Sequence, residues 1–162
     1  MVSGREVVLI DGHSGSGKTD FARLLAEQHG FEVLSLDEVY PGWDGLDAGQ
    51  ALVAEKLLPI WLRTGSVEVP QWEWASMSYS SSRIVPDAPG LVVEGCGSIS
   101  PASVALASRS IWLHAPEAIR YQRAITRDGE SYLPHWKRWA LQEQRFLMLY
   151  RSRELAGEEL SA

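Results

Sequence analysis

Cysteine is almost missing from this chain: Cys96 stands alone. An intramolecular disulfide is therefore excluded, a reducing compartment is expected, and Cys96 reads as a small buried residue. No apolar run approaches the roughly 20 residues of a membrane span. The opening Met1-Val-Ser-Gly-Arg-Glu runs into an apolar stretch without the layout of a signal peptide, so a cytoplasmic location is expected. Excess positive charge is lacking too: 15 Lys and Arg face 21 Asp and Glu, a net charge of −6, which argues against a general nucleic-acid binder. Internal repeats, low-complexity tracts and interdomain linkers are absent. What remains is 162 residues, 45% of them hydrophobic, which read as a single globular domain over 1–162 with no membrane partner.

The charge is unevenly spread. From Arg120 to Arg153 there are eight Arg or Lys against three acids, a balance that suits a local phosphate clamp better than a duplex-binding face. The strongest local signal is Gly12-His13-Ser14-Gly15-Ser16-Gly17-Lys18-Thr19, which spells G-x-x-x-x-G-K-[ST]. Val7-Val8-Leu9-Ile10 before it reads as a buried parallel strand, and Phe21, Leu24, Leu25 and Gln28 after it follow helical spacing up to Gly30. Glycines let such a loop turn its N–H groups inward onto an anion, and the helix start adds its positive dipole end. The pattern predicts nucleoside triphosphate binding by Gly12, Ser14, Gly15, Ser16, Gly17, Lys18 and Thr19. Lys18 would face the β- and γ-phosphates, and the Thr19 hydroxyl would face Mg²⁺.

Strands and helices alternate along the rest of the chain. Phe31–Leu36 reads as a second strand ending at Asp37, and a loop rich in Gly, Asp and aromatics follows. Asp47 is placed to cap the next helix, inside which Pro59 predicts a kink. Val67 to Val85 reads as an irregular hairpin with its tip over Ser76–Ser82, an insertion spanning 66–86. Leu91–Gly95 and Ile111–Leu113 read as the third and fourth strands, and Trp136–Tyr150 as a long packing helix. This order gives an α/β fold around a parallel sheet, with ligands beyond the strand ends that carry Asp11, Asp37, Glu94 and His114.

An ordered set of motifs resembles the uridine kinase-like P-loop kinases over most of the chain. Ser35-Leu-Asp-Glu-Val-Tyr40 is similar to the family's S-x-D-x-F-Y, and Trp43-Asp-Gly-Leu-Asp-Ala48 to its Asp-rich substrate loop. Val69-Pro-Gln-Trp-Glu-Trp74 resembles its V-P-x-Y-D-F hairpin. Val93-Glu-Gly95 resembles its E-G strand end, and Arg123 through Asp128 its R-x-x-R-D lid, here spanning 120–135. The resemblance implies a three-layer P-loop fold and transfer of phosphate from ATP, with Mg²⁺, to a hydroxyl of a small molecule such as a nucleoside. It implies Asp37 as general base, Glu94 beside Thr19 on the metal, Asp47 on a sugar hydroxyl, Tyr40, Trp72 and Trp74 around the acceptor, and Arg123 and Arg127 as the lid's phosphate clamp. Two alternatives stand beside it: a nucleoside monophosphate kinase, and a nucleotide-dependent regulatory module with little turnover.

The chain departs from that pattern in three places. Met77 stands where the family has a base-reading His, which implies a larger or more apolar acceptor than uridine, walled by Trp72, Trp74 and Met77. The Arg-rich stretch after R-D is replaced by Gly129-Glu-Ser-Tyr-Leu-Pro134. Nothing after Tyr150 reads as the family's fifth strand, so the expected sheet order is 2-3-1-4, with the fourth strand's edge covered by the C-terminal helix or by a second subunit of a homodimer.

Overall fold

The computed structural model describes residues 4–129 and 132–161. Five parallel strands form the central sheet: β1 (Glu6–Asp11), β2 (Glu32–Ser35), β5 (Gly90–Glu94), β6 (Arg109–His114) and β7 (Glu158–Ser161), in the order β2-β5-β1-β6-β7. Every side chain of β1 from Val7 to Asp11 is buried, because helices cover both faces of the sheet. Alternation divides them: Val7 and Leu9 join the larger core with Leu34, Leu36, Trp61 and Phe146, while Val8 and Ile10 face Ala22, Leu25 and Ala26 of α1 (Lys18–His29). Gly30 closes α1 in the left-handed conformation, as expected of a C-terminal glycine.

The fifth strand corrects the expected four-strand sheet. β7 pairs in parallel with β6, from Ile111↔Glu158 to His114↔Ser161. Its sequence, Glu-Glu-Leu-Ser, carries a single apolar residue and is largely exposed, so no hydrophobic pattern announces it. Backbone pairing holds it, with the Arg109–Glu158 ion pair alongside. β6 is thus an interior strand, and its edge calls for no second subunit.

Between β2 and β5 lie α2 (Leu46–Leu52), a π-helical turn over Val53–Leu57, and α3 (Leu58–Thr64). The kink expected at Pro59 takes the form of that turn: Pro59 falls in the first turn of α3, and its i−4 carbonyl, on Glu55, belongs to the widened π segment. Asp47 does not cap α2; Gly45 holds the N-cap position without a side-chain bond. The hairpin forms as expected, from β3 (Val67–Glu73) and β4 (Ser78–Val85), but its tip is tighter than the sequence suggests. Glu38 ties this two-stranded sheet to the main one: it accepts from Arg83 and Gln71, while Arg83 also donates to the Val33 carbonyl.

After α4 (Pro101–Val104) and β6, α5 (Glu117–Asp128) leads into α6 (Trp136–Tyr150), then α7 (Ser152–Leu155) and β7. Within the expected lid, Glu130 and Ser131 lie outside the described residues. Among the described residues no helix is long and apolar enough to cross a membrane.

Candidate active site

The phosphate loop leaves β1 at Asp11, and burial there is used for anchoring. The Asp11 carboxylate is 2% exposed and accepts from the N–H groups of Gly12 at 2.7 Å, Ile99 at 2.9 Å and Gly97 at 3.1 Å. Burial pushes its pKa up to about 6 against the pull of those three donors. The start of the phosphate loop and the loop after β5 are thereby fastened to one acid.

Gly15 is required by contact as well as by conformation. Its φ is +79°, and a Cβ there would sit 2.2 Å from the Arg120 carbonyl oxygen. The backbone of α5 thus rests directly on the phosphate loop. The Lys18 ammonium folds back onto the His13 carbonyl at 2.9 Å. Burial pulls its pKa down, but the acidic groups around it, Glu94 and Glu143 among them, more than offset this and keep it charged. Thr19 Oγ1 donates to Glu94 Oε1 at 3.3 Å, which joins the end of β5 to the start of α1. Burial, and then the neighbouring Asp37, raise the Glu94 carboxyl above its ordinary range.

One cavity of about 1260 Å³ gathers these groups. It is lined by Ser14, Gly15, Gly17, Lys18 and Thr19 of the phosphate loop with Glu94, Arg123 and Arg127, and by Asp37, Tyr40, Trp43, Trp74, Cys96, Asp128, Tyr132 and Trp139. Asp37 opens onto the cavity, and protein surrounds it closely enough that desolvation raises its carboxyl pKa; Arg127 and Lys18 pull the other way. From α5, Arg123 reaches the Gly15 carbonyl at 3.4 Å, and Arg127 pairs with Asp128 at 2.8 Å. Glu94 and Thr19 present hard oxygen donors to the cavity floor, a set that fits Mg²⁺, an ion that leaves most of its coordination to phosphates and water. Among the described residues no cluster of three or more His, Cys, Asp or Glu forms a self-sufficient metal cage.

Of the residues expected at the acceptor, Asp37, Tyr40 and Trp74 line the cavity, and Asp47, Trp72 and Met77 do not. Asp47 is exposed and pairs with Arg145 at 2.9 Å. Trp72 is turned onto Tyr79, with ring centroids 4.9 Å apart, after the hairpin register shifts at Gln71/Trp72. Met77, at φ 52°, sits in the hairpin turn and packs over Gly42. Their places are taken by rings the sequence does not single out. Trp43 is the hub: it meets Trp74 at 4.8 Å, Tyr132 at 5.3 Å and Trp139 at 6.4 Å, with His135 stacked on it at 4.4 Å. Polar atoms of these walls are already engaged. The Tyr40 hydroxyl donates to the Cys96 carbonyl, the Tyr132 hydroxyl to Ser14 Oγ, and the Trp74 indole N–H to the Asp37 carbonyl.

Glu143 is the other residue that sequence reading left among packing positions. It is buried against the phosphate loop, and the signal that could have found it is an acid within the apolar stripe Trp139-Glu143-Phe146.

No family model matches the chain. A cytidylate kinase from Methanococcoides burtonii is 26% identical over 126 residues, which make up 78% of this chain and 65% of the relative's length. The structure titled a "Possible Uridine Kinase" from Bacillus stearothermophilus superposes with a TM-score of 0.69 at 21% identity, covering 99% of this chain and 90% of that one. Shikimate kinase from Acinetobacter baumannii in complex with shikimate gives a TM-score of 0.58 at 18% identity, covering 97% and 83%. These likenesses show an α/β fold shared with P-loop kinases.

Proposed function

We propose that this protein is a P-loop kinase that transfers the terminal phosphoryl group of ATP to a hydroxyl of a small molecule. The observation that carries this reading is the placement of Asp37 on the same cavity as Lys18, Thr19 and Glu94. A nucleotide-binding module needs the last three; a further carboxylate on the same cavity is what a hydroxyl nucleophile needs.

In this reading the phosphate loop N–H groups and Lys18 bind the triphosphate, and Arg123 and Arg127 close on it from α5. Arg127 would exchange its Asp128 contact for phosphate oxygens. Thr19 and Glu94 would hold Mg²⁺, which neutralises phosphate charge when bound. Asp37 takes the proton of the acceptor hydroxyl as its oxygen bonds to the terminal phosphorus and the bond to the departing ADP oxygen breaks. The rings of Trp43, Trp74, Tyr132 and Trp139 exclude water and offer π faces, so the acceptor is one with a ring or apolar body and a hydroxyl within reach of Asp37.

The similarity to a cytidylate kinase supports a second reading, with a nucleoside monophosphate as acceptor. Cation placement weighs against it. Among the described residues, the cavity's cations are Lys18, Arg123 and Arg127; the first two lie against the phosphate loop, and Arg127 is paired with Asp128. The nearby Arg83, Arg138 and Arg145 are paired with Glu38, Asp44 and Asp47. An acceptor phosphate would meet ring faces, Asp37 and an Arg127 already paired with Asp128. The test is ATP consumption above the no-acceptor background across nucleosides, nucleoside monophosphates, sugars and aromatic alcohols. The reading expects a ring-bearing neutral alcohol to respond most; a response confined to monophosphates would favour the second reading.

A further inference from the structure

Glu143 is 6% exposed and lies between Trp139 and Phe146 on the inward face of α6. Burying a carboxylate in such surroundings is unfavourable unless donors are brought to it. Two are. Glu143 Oε1 accepts from the Ser14 backbone N–H at 3.0 Å and faces His13 Nδ1 at 3.1 Å.

The direction of approach matters. Ser14, Gly15, Gly17, Lys18 and Thr19 line the cavity, whereas His13 and Glu143 do not. The carboxylate therefore grips the loop from behind and leaves its concave face to the phosphates. Ser14 is held a second time, through Oγ, by the Tyr132 hydroxyl at 2.7 Å. On the neighbouring flank of α6, Arg138 pairs with Asp44, Gln142 bonds the Trp43 carbonyl and the Leu46 N–H, and Arg145 pairs with Asp47. One helix is thus fastened to the acceptor loop on one side and to the phosphate loop on the other.

We propose that Glu143 is a positioning residue for the phosphate loop: from α6 it fixes the Ser14 N–H and the His13 ring, and so presets the loop for a triphosphate. The proposal rests on the nucleotide-binding part of the reading above. It implies that Glu143 acts through acceptor oxygens, so that an amide, which keeps one, substitutes well and an apolar isostere does not.

The test titrates ATP calorimetrically into wild type, Glu143→Gln and Glu143→Met, with the Tm of each recorded and amide exchange followed in nucleotide-free wild type. Expected are an affinity within about threefold of wild type for Glu143→Gln and about tenfold weaker for Glu143→Met. The Ser14 amide should exchange slowly before any nucleotide is added. A Glu143→Met protein with lowered Tm but unchanged ATP affinity would reduce Glu143 to a packing residue and overturn the proposal. A rapidly exchanging Ser14 amide would overturn it as well, and decides the matter if Glu143→Met does not fold. Wild type that binds no ATP would instead overturn the kinase reading, while slow exchange at Ser14 would still support the grip on the loop.

Discussion

On the side of the cavity proposed to bind the phosphate donor, residues 12 to 19 form one short loop whose shape is fixed by the strand and helix on either side. On the proposed acceptor side, the walls come from five separate places: the loop after β2, the end of the hairpin, the start of β5's following loop, the end of α5 at Asp128, and the region from Tyr132 to Trp139. The first is a local device whose backbone geometry recognises an anion. The second exists only when distant segments pack, and side-chain faces define it. In the proposed function, phosphate binding is thus specified locally and selectivity globally, and substitutions at the two ends should have different signatures.

The largest effect should come where the two ends meet. Asp37→Asn should lower kcat by ~10²–10⁴ while leaving ATP affinity nearly unchanged, because it removes the base without touching the phosphate loop. Near-normal turnover in the variant would remove Asp37 from the mechanism. The same group sets a pH signature. Asp37 is exposed to the cavity, but the protein around it desolvates the carboxyl and raises its pKa, and a base works only when ionised. In kcat/KM profiles, activity should thus fall on acidification at a pH above the ordinary Asp range; an acid limb at or below that range would contradict the assignment.

Next in size is Lys18→Ala, which acts at the donor end alone. Loss of a charge-assisted contact should weaken ATP binding by roughly 10- to 150-fold, and ADP binding by less. Equal losses for the two nucleotides in calorimetric titrations would place Lys18 away from the terminal phosphate. Trp43→Ala is its counterpart at the acceptor end: about a tenfold rise in KM for the acceptor, with ATP affinity spared. If ATP affinity falls equally, the two ends are not separable. The smallest effect should be that of Tyr132→Phe, which keeps the ring against Trp43 but removes the hydroxyl bonded to Ser14. It should cost about 1 kcal/mol in denaturant unfolding.

The contrast between the ends also explains what the sequence could and could not convey. The phosphate loop, Asp37 and Glu94 sit at strand ends, and strand ends follow from apolar runs and the residues that stop them. β7 lacked such a run, being Glu-Glu-Leu-Ser on an exposed margin, so its pairing with β6 left no apolar trace. Asp47, Trp72 and Met77 have the residue types of an acceptor site, but an ion pair to Arg145, a register shift and a tight turn direct them elsewhere. Trp139 reads as a packing residue, and Trp43 and Tyr132 only as members of their loops, since nothing local distinguishes an aromatic side chain in a core from one on a cavity wall. Glu143 alone left a trace, an acid on an apolar stripe.

The central claim is that the phosphoryl group goes to a hydroxyl at the Asp37 end. Phosphorus NMR of ATP, Mg²⁺, protein and the responding acceptor follows the transferred atom itself. The account predicts a phosphomonoester resonance growing in step with ADP and absent with Asp37→Asn. A new diphosphate resonance on the acceptor, or inorganic phosphate alone, would contradict it.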